Sequence, residues 1–186
     1  MSSGADIRQQ SSALPLFIGF TEAGEAGLHL LHDWEDYRHW LCAVIPDPLE
    51  QSFFACHCRL QAAVQRYFDS GGEACLVYSV ATYSEVFSYS AAGLQSALCS
   101  DEMFYRITRQ PGITALAVPD LSVLDDGSAD AGDEFIKAWH RMLAFCRCLR
   151  MPFSVQDVPS HPDAARICVA LARETLGAEY CIAHWR

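Results

Sequence analysis

The sequence predicts an α/β protein, with a mostly parallel sheet and helices on both faces. Three observations carry this. Near-continuous apolar runs at 14–20, 74–80 and 113–118 read as strands covered on both sides. The segments between them hold helical spacing, as in Ala63, Val64, Tyr67 and Phe68. Gly71-Gly72 then separates a helix from a strand, supplying the positive-φ positions a helix end commonly needs. Helix, glycine stop and buried strand make one βα unit, and the chain repeats that alternation.

Taken in order, residues 1–13 form a polar arm, and Leu14–Phe20 the first strand, with Pro15 at its start where a missing N–H matters least. Residues 14–186 are expected to form a single domain. Thr21–Gly27 is a loop, and Leu28–Leu31 a short extended piece leading to Asp33, a good N-cap for the helix Trp34–Leu41. After the proline-punctuated connection 45–49, a long helix is predicted from Gln51 to the two glycines. Residues 81–112 are ambiguous, with helical character only over 90–98. A buried strand follows at 113–118. Residues 121–133 suit an exposed, acidic crossover loop. The helix 134–149 turns Phe135, Ala138, Trp139, Met142, Leu143 and Cys146 inward. Strands at 153–157 and 179–184 flank a last helix that begins at Pro162, where a fixed φ is harmless, and stops at Gly177.

Composition narrows the function classes. Hydrophobic residues make up 51% of the 186 and charged residues 19%, which fits a packed globular chain and argues against disorder. A net charge of −10, with scattered cations, argues against nucleic-acid and anionic-membrane partners. The polar N-terminus lacks the apolar segment of a signal peptide, so synthesis in the cytoplasm is expected. Nine cysteines, an odd number placed largely in apolar stretches such as Cys75, Cys168 and Cys181, read as free core thiols.

Residue types that could carry chemistry are present, but not in the patterns chemistry needs. Cys56-His57-Cys58 and Cys146-Arg147-Cys148 fall in predicted helices, where residues two apart point to nearly opposite sides. The seven histidines, three of them (His29, His32, His39) near one helix, form no HExxH motif, and no GxSxG elbow presents a nucleophile. Asp125, Asp126, Asp130, Asp133 and Glu134 lack the glycine and terminal glutamate of a calcium loop. Gly71-Gly72 has no following Lys-Ser/Thr and stands after a helix, which excludes a phosphate loop. No catalytic, metal or cofactor residue is assigned, and no cofactor is expected. Tyr83, Phe87 and Tyr89 alternate with polar residues, as either a half-buried strand or an exposed aromatic interface would.

Several stretches, in order, resemble the tail sheath proteins of contractile phages, tailocins and extracellular contractile injection systems. LPLFIGFTEAGEAG is similar to their opening strand and loop, and WEDYRHW to the short aromatic-acidic helix after it. LQAAVQRYFDSGGEACLVYSV is the most specific match, a helix ending in Phe, a polar residue and GG that runs into a strand. ITALAVPD, PFSVQDVP and EYCIAHW resemble the later core strands. The resemblance covers about residues 14–185 and contains no catalytic motif. It implies the sheath core fold without enzyme activity. It also implies a structural role beside sheath, tube or baseplate proteins, in which subunits stack around an inner tube and contract. Family members continue past the position of Trp185 and exchange terminal arms. Here the chain stops at Arg186 with at most a short arm before Leu14, so linkage by donated strands is not expected.

The function expected from the sequence is a non-catalytic subunit or accessory of a contractile particle, made in the cytoplasm and able to homo-oligomerise. Its interaction surfaces are expected at Tyr83, Phe87 and Tyr89 and at the terminal-strand residues Tyr180, Ile182 and Trp185. The alternative is a small α/β binding or regulatory module derived from the same fold and acting outside any particle.

Overall fold

In β1 (Pro15–Thr21) successive side chains serve two different cores, and this alternation organises the molecule. Leu16, Ile18 and Phe20 enter one apolar cluster and Phe17 enters the other, as the period-two geometry of a strand requires. The computed structural model describes residues 14–44, 47–49, 51–52, 58–125, 129–150, 153–155, 159–176 and 181–183. The first thirteen residues, read above as an arm, lie outside it, as do Tyr180 and Trp185.

Six strands form one sheet in the order β2-β3-β1-β4-β5-β6, where β2 is Gly27–Leu31, β3 Cys75–Thr82, β4 Ala115–Ala117, β5 Phe153–Val155 and β6 Cys181–Ala183. Every pairing is parallel except that of β2 with β3. The mostly parallel α/β sheet expected from the sequence is therefore present. The extended piece 28–31 is the sheet's antiparallel edge, a sixth strand beyond the five expected. β3 lies between β1 and β2.

Helices cover both faces unequally. Tyr37 and Leu41 of α1 (Trp34–Leu41), with Leu60, Ala63 and Val64 of α2 (Leu60–Asp69), pack on Phe17, Val77 and Ala117. The opposite face carries the larger core. Its helices are α4 (Ala91–Leu98), α5 (Asp101–Thr108), α6 (Ala129–Leu149) and α7 (Pro162–Leu176). The six residues expected inward on α6 are all buried, Trp139 and Met142 completely. Burying side chains of that size contributes roughly 1.5–3 kcal/mol each, so this face supplies most of the hydrophobic stabilisation.

Helix ends follow the local chemistry. The Asp33 carboxylate accepts from Asp36 N–H at 2.9 Å and caps α1. Of the two glycines after α2, only Gly71 takes a positive φ, of 89°. At Gly72 the requirement is space, because the Tyr67 ring covers it and would overlap any Cβ. The Tyr67 hydroxyl reaches on to donate to Ala74 O at 2.8 Å, tying the helix end to the start of β3.

Three sequence expectations need correction, and one ambiguous segment is resolved. The long helix from Gln51 is interrupted, since Cys58 and Arg59 are not helical and α2 starts at Leu60. The ambiguous segment 81–112 resolves into the end of β3 and three helices: α3 (Tyr83–Val86), α4 and α5. Residues 121–124, expected in an exposed loop, belong to a 3-10 turn, Pro119–Leu124, with Leu121 and Leu124 buried in the larger core. The helix expected to open at Glu134 opens at Ala129.

Candidate functional site

Parallel α/β sheets place ligands at the carboxyl ends of their strands, where neighbouring strands send their connections in opposite directions. Here that point lies between β1 and β4. The chain leaving β1 travels toward β3 on one side, and the chain leaving β4 travels toward β5 on the other. Thr21 and Glu22 arrive from β1, and Val118, Pro119 and Asp120 arrive from β4.

Asp120 fills the crevice. It is fully buried, and its Oδ2 accepts from Phe20 N–H at 2.7 Å while Oδ1 accepts from Arg59 N–H at 2.5 Å and Leu60 N–H at 2.8 Å. Arg59 and Leu60 open α2, so Asp120 caps that helix from a distant part of the chain. One carboxylate thus joins β1, β4 and α2. Only glycine fits opposite it, because a Cβ on Gly19 would overlap Asp120 Oδ2 and crowd Leu60. Burial raises the Asp120 pKa to about 6, outweighing the lowering by the three N–H donors.

Around this clip sits a small buried polar cluster. The Thr21 and Ser79 hydroxyls lie 2.8 Å apart, joining the tops of β1 and β3, and Thr21 Oγ1 donates to Ala23 O at 2.8 Å. Burial raises the pKa of Tyr37, Tyr83, Cys58 and Glu22, and pushes the Cys42 thiol up to about 12. The cysteines here are thus held as thiols rather than as reactive thiolates. Chemically, Asp120 has its oxygens engaged by backbone donors and no contact with solvent, which suits it to holding the fold together. No group of three or more His, Cys, Asp or Glu side chains among the described residues is arranged to hold a metal ion. The described cysteines are free thiols, and Cys146 and Cys148 point to buried and exposed sides of α6.

The residues expected at an interface separate. Tyr83 is buried in a short helix, which corrects its assignment as an exposed contact, while Phe87 and Tyr89 follow in a turn and loop. Thr82 and Glu85 build a capping box, with Glu85 Oε2 accepting from Thr82 N–H at 2.7 Å, and this starts α3 with Tyr83 turned into the core. Phe87 and Tyr89 stand beyond α3 and are exposed. Ile182 lies on β6 at the sheet's edge, in register with Ser154, while Tyr180 and Trp185 fall outside the described residues.

Sequence reasoning missed Asp120 and Gly19. Their signals were available: a glycine inside an apolar strand marks close approach, and an Asp directly after a buried strand is positioned to cap. The T-x-x-E of Thr82–Glu85 likewise announced a helix start. A shallow groove of about 580 Å³ also opens between α1 and α2, lined by Trp34, Arg38, His39, Cys42, Val44 and Gln61. Its Arg38 guanidinium pairs with Glu35 at 3.0 Å.

No protein-family model matches the chain, and no curated protein matches it. Among solved structures, it is similar to a chain in the cryo-EM structure of the anti-feeding prophage (AFP) baseplate in contracted state. The TM-score is 0.68 at 19% sequence identity. The similarity extends over 100% of this chain and 44% of that one, so this chain spans less than half the length of its neighbour. The likeness is one of fold.

Proposed function

We propose that this protein is a non-catalytic structural or accessory subunit of a contractile injection particle, working against sheath, tube or baseplate proteins. The observation that carries the reading is the end-to-end fold similarity to a chain of the anti-feeding prophage baseplate structure. Two independent features support it. The order of strand and loop sequences resembles the sheath family over nearly the same span. The crevice where parallel α/β sheets ordinarily take ligands is occupied by a capping carboxylate. No helix among the described residues is long and apolar enough to cross a membrane, in keeping with assembly into a particle.

Negative-stain imaging of particles from cells with and without this protein, with immunogold labelling of the chain, tests the reading. Altered or absent particles in its absence, or label on the particle, is the expected result. Normal particles without label would overturn it and leave the binding-module reading in its place.

A further inference from the structure

Three buried polar atoms near the Asp120 clip have no hydrogen-bond partner among the described residues: Glu22 Oε2, the Tyr37 hydroxyl and Arg59 Nε. Tyr37 itself is completely buried. Polar atoms withdrawn from solvent are hydrogen-bonded in roughly 90% of cases or more, so three orphans gathered in one place call for a common cause.

They do share one neighbourhood. Burial first, then the Glu22 and Asp120 carboxylates, raise the Tyr37 pKa. Burial likewise raises Cys58, with Asp120 and Glu22 adding to the rise and Arg59 opposing it. Tyr37 and Arg59 thus stand in the field of the same two carboxylates, and the Arg59 backbone N–H donates to Asp120 Oδ1 at 2.5 Å. The three arrive on separate elements: Glu22 follows β1, Tyr37 lies on α1 and Arg59 precedes α2. Asp120 does not serve them, since its oxygens already accept from Phe20, Arg59 and Leu60 N–H groups.

The chemistry of these atoms selects what joins them. Tyr37 O–H and Arg59 Nε–H donate, and Glu22 Oε2 accepts. An anion would meet the Glu22 and Asp120 carboxylates, and a cation would meet the Arg59 guanidinium. A small neutral molecule that both donates and accepts suits all three, and buried waters typically make about three hydrogen bonds. A route from solvent is present, because the groove between α1 and α2 reaches Cys42, whose thiol is hydrogen-bonded to Glu22. We infer that the crevice at the carboxyl end of the sheet holds an internal water that accepts from Tyr37 and Arg59 and donates to Glu22. Asp120 joins β1, β4 and α2; the water adds α1 to that clip. The inference goes beyond the proposed function and does not depend on it.

A high-resolution crystal structure of the full chain is expected to show density for one water within hydrogen-bonding distance of the Tyr37 hydroxyl and Glu22 Oε2. Absence of that density, or density for a larger molecule, overturns the inference. Two variants read the site in solution. Tyr37→Phe keeps the ring and deletes one partner of the water, so it should lower the urea midpoint. A hydroxyl with no partner at all gives the opposite sign, because removing a buried orphan is stabilising. A raised or unchanged midpoint therefore overturns the inference. Oxygen-17 relaxation dispersion counts long-lived internal waters. Glu22→Leu removes the acceptor and should lose one such water relative to the wild type, whereas Glu22→Gln keeps an acceptor oxygen and should retain it. An unchanged count in folded Glu22→Leu overturns the inference. If that variant does not fold, the crystal structure and the sign of the Tyr37→Phe effect decide.

Discussion

At one end of the sheet lie two regions built from similar residue types and put to opposite uses. Between β1 and β4, Asp120 is sealed from water and hydrogen-bonded to three backbone N–H groups. Glu25 and Asp47, by contrast, are exposed, and the Asp47 carboxylate accepts only from the neighbouring Leu49 N–H at 2.7 Å. The inner carboxylate stabilises the fold, and the outer ones shape a surface. Acidic side chains at the carboxyl end of a parallel sheet thus do not by themselves mark an active site. What distinguishes them is which groups have already taken up their hydrogen-bonding capacity.

Removing Asp120 breaks this contrast most severely. Asp120→Ala leaves three buried N–H groups without an acceptor, and is expected to destabilise the protein by about 3–5 kcal/mol in urea unfolding. Asp120→Asn keeps one acceptor oxygen and should cost less. A loss below about 1 kcal/mol for the alanine variant would mean that the clip is dispensable.

The pH dependence of stability comes next in size. The folded Asp120 pKa is raised from 3.8 to about 6, so the native state holds this proton more tightly than the unfolded chain. The resulting stabilisation is complete below 3.8 and is lost as pH rises through 6. Its span is about 2–3 kcal/mol. The wild type should therefore gain stability between pH 6 and pH 4 relative to Asp120→Asn, measured by chemical denaturation at each pH. Parallel curves for the two proteins would show that the proton is not on Asp120.

A third substitution approaches the same contact from the strand. Gly19→Ala places a methyl against Asp120 Oδ2 and Leu60, and is expected to cost about 1–3 kcal/mol. In an Asp120→Ala background most of that cost should disappear, since the obstructing carboxylate is gone. Additive effects would indicate that Leu60 alone sets the limit.

The uneven legibility of the sequence follows from how far each signal reaches along the chain. β1, β3 and α6 could be read because their period is written in ten to twenty consecutive residues, and Asp33 capped α1 as expected. The position of Asp120 after a strand marks it as a cap, but its partners could not be read, because Phe20 and Leu60 lie 100 and 60 positions away. The predicted helix from Gln51 failed for the same reason. Its apolar pattern continues through Cys58, while the helix start is fixed by a carboxylate that only the fold brings there. β2 was recognised as extended but not as part of the sheet, since pairing with β3 depends on an intervening stretch of some forty residues that its own five could not reveal.

Tyr83, Phe87 and Tyr89 carry the smallest expected effects and give the finest resolution of inside from outside. Tyr83→Phe removes a buried hydroxyl that is hydrogen-bonded to Cys58, and should cost about 1 kcal/mol. Tyr89→Ser, only six residues on but at the surface, should stay within about 0.5 kcal/mol. Alternation of aromatic and polar residues would have made the three equivalent. The capping box at Thr82 instead starts a helix that turns Tyr83 inward and ends before Phe87. Equal losses at the two tyrosines would contradict that arrangement. A loss confined to Tyr83 leaves Tyr89 available for contacts outside the chain.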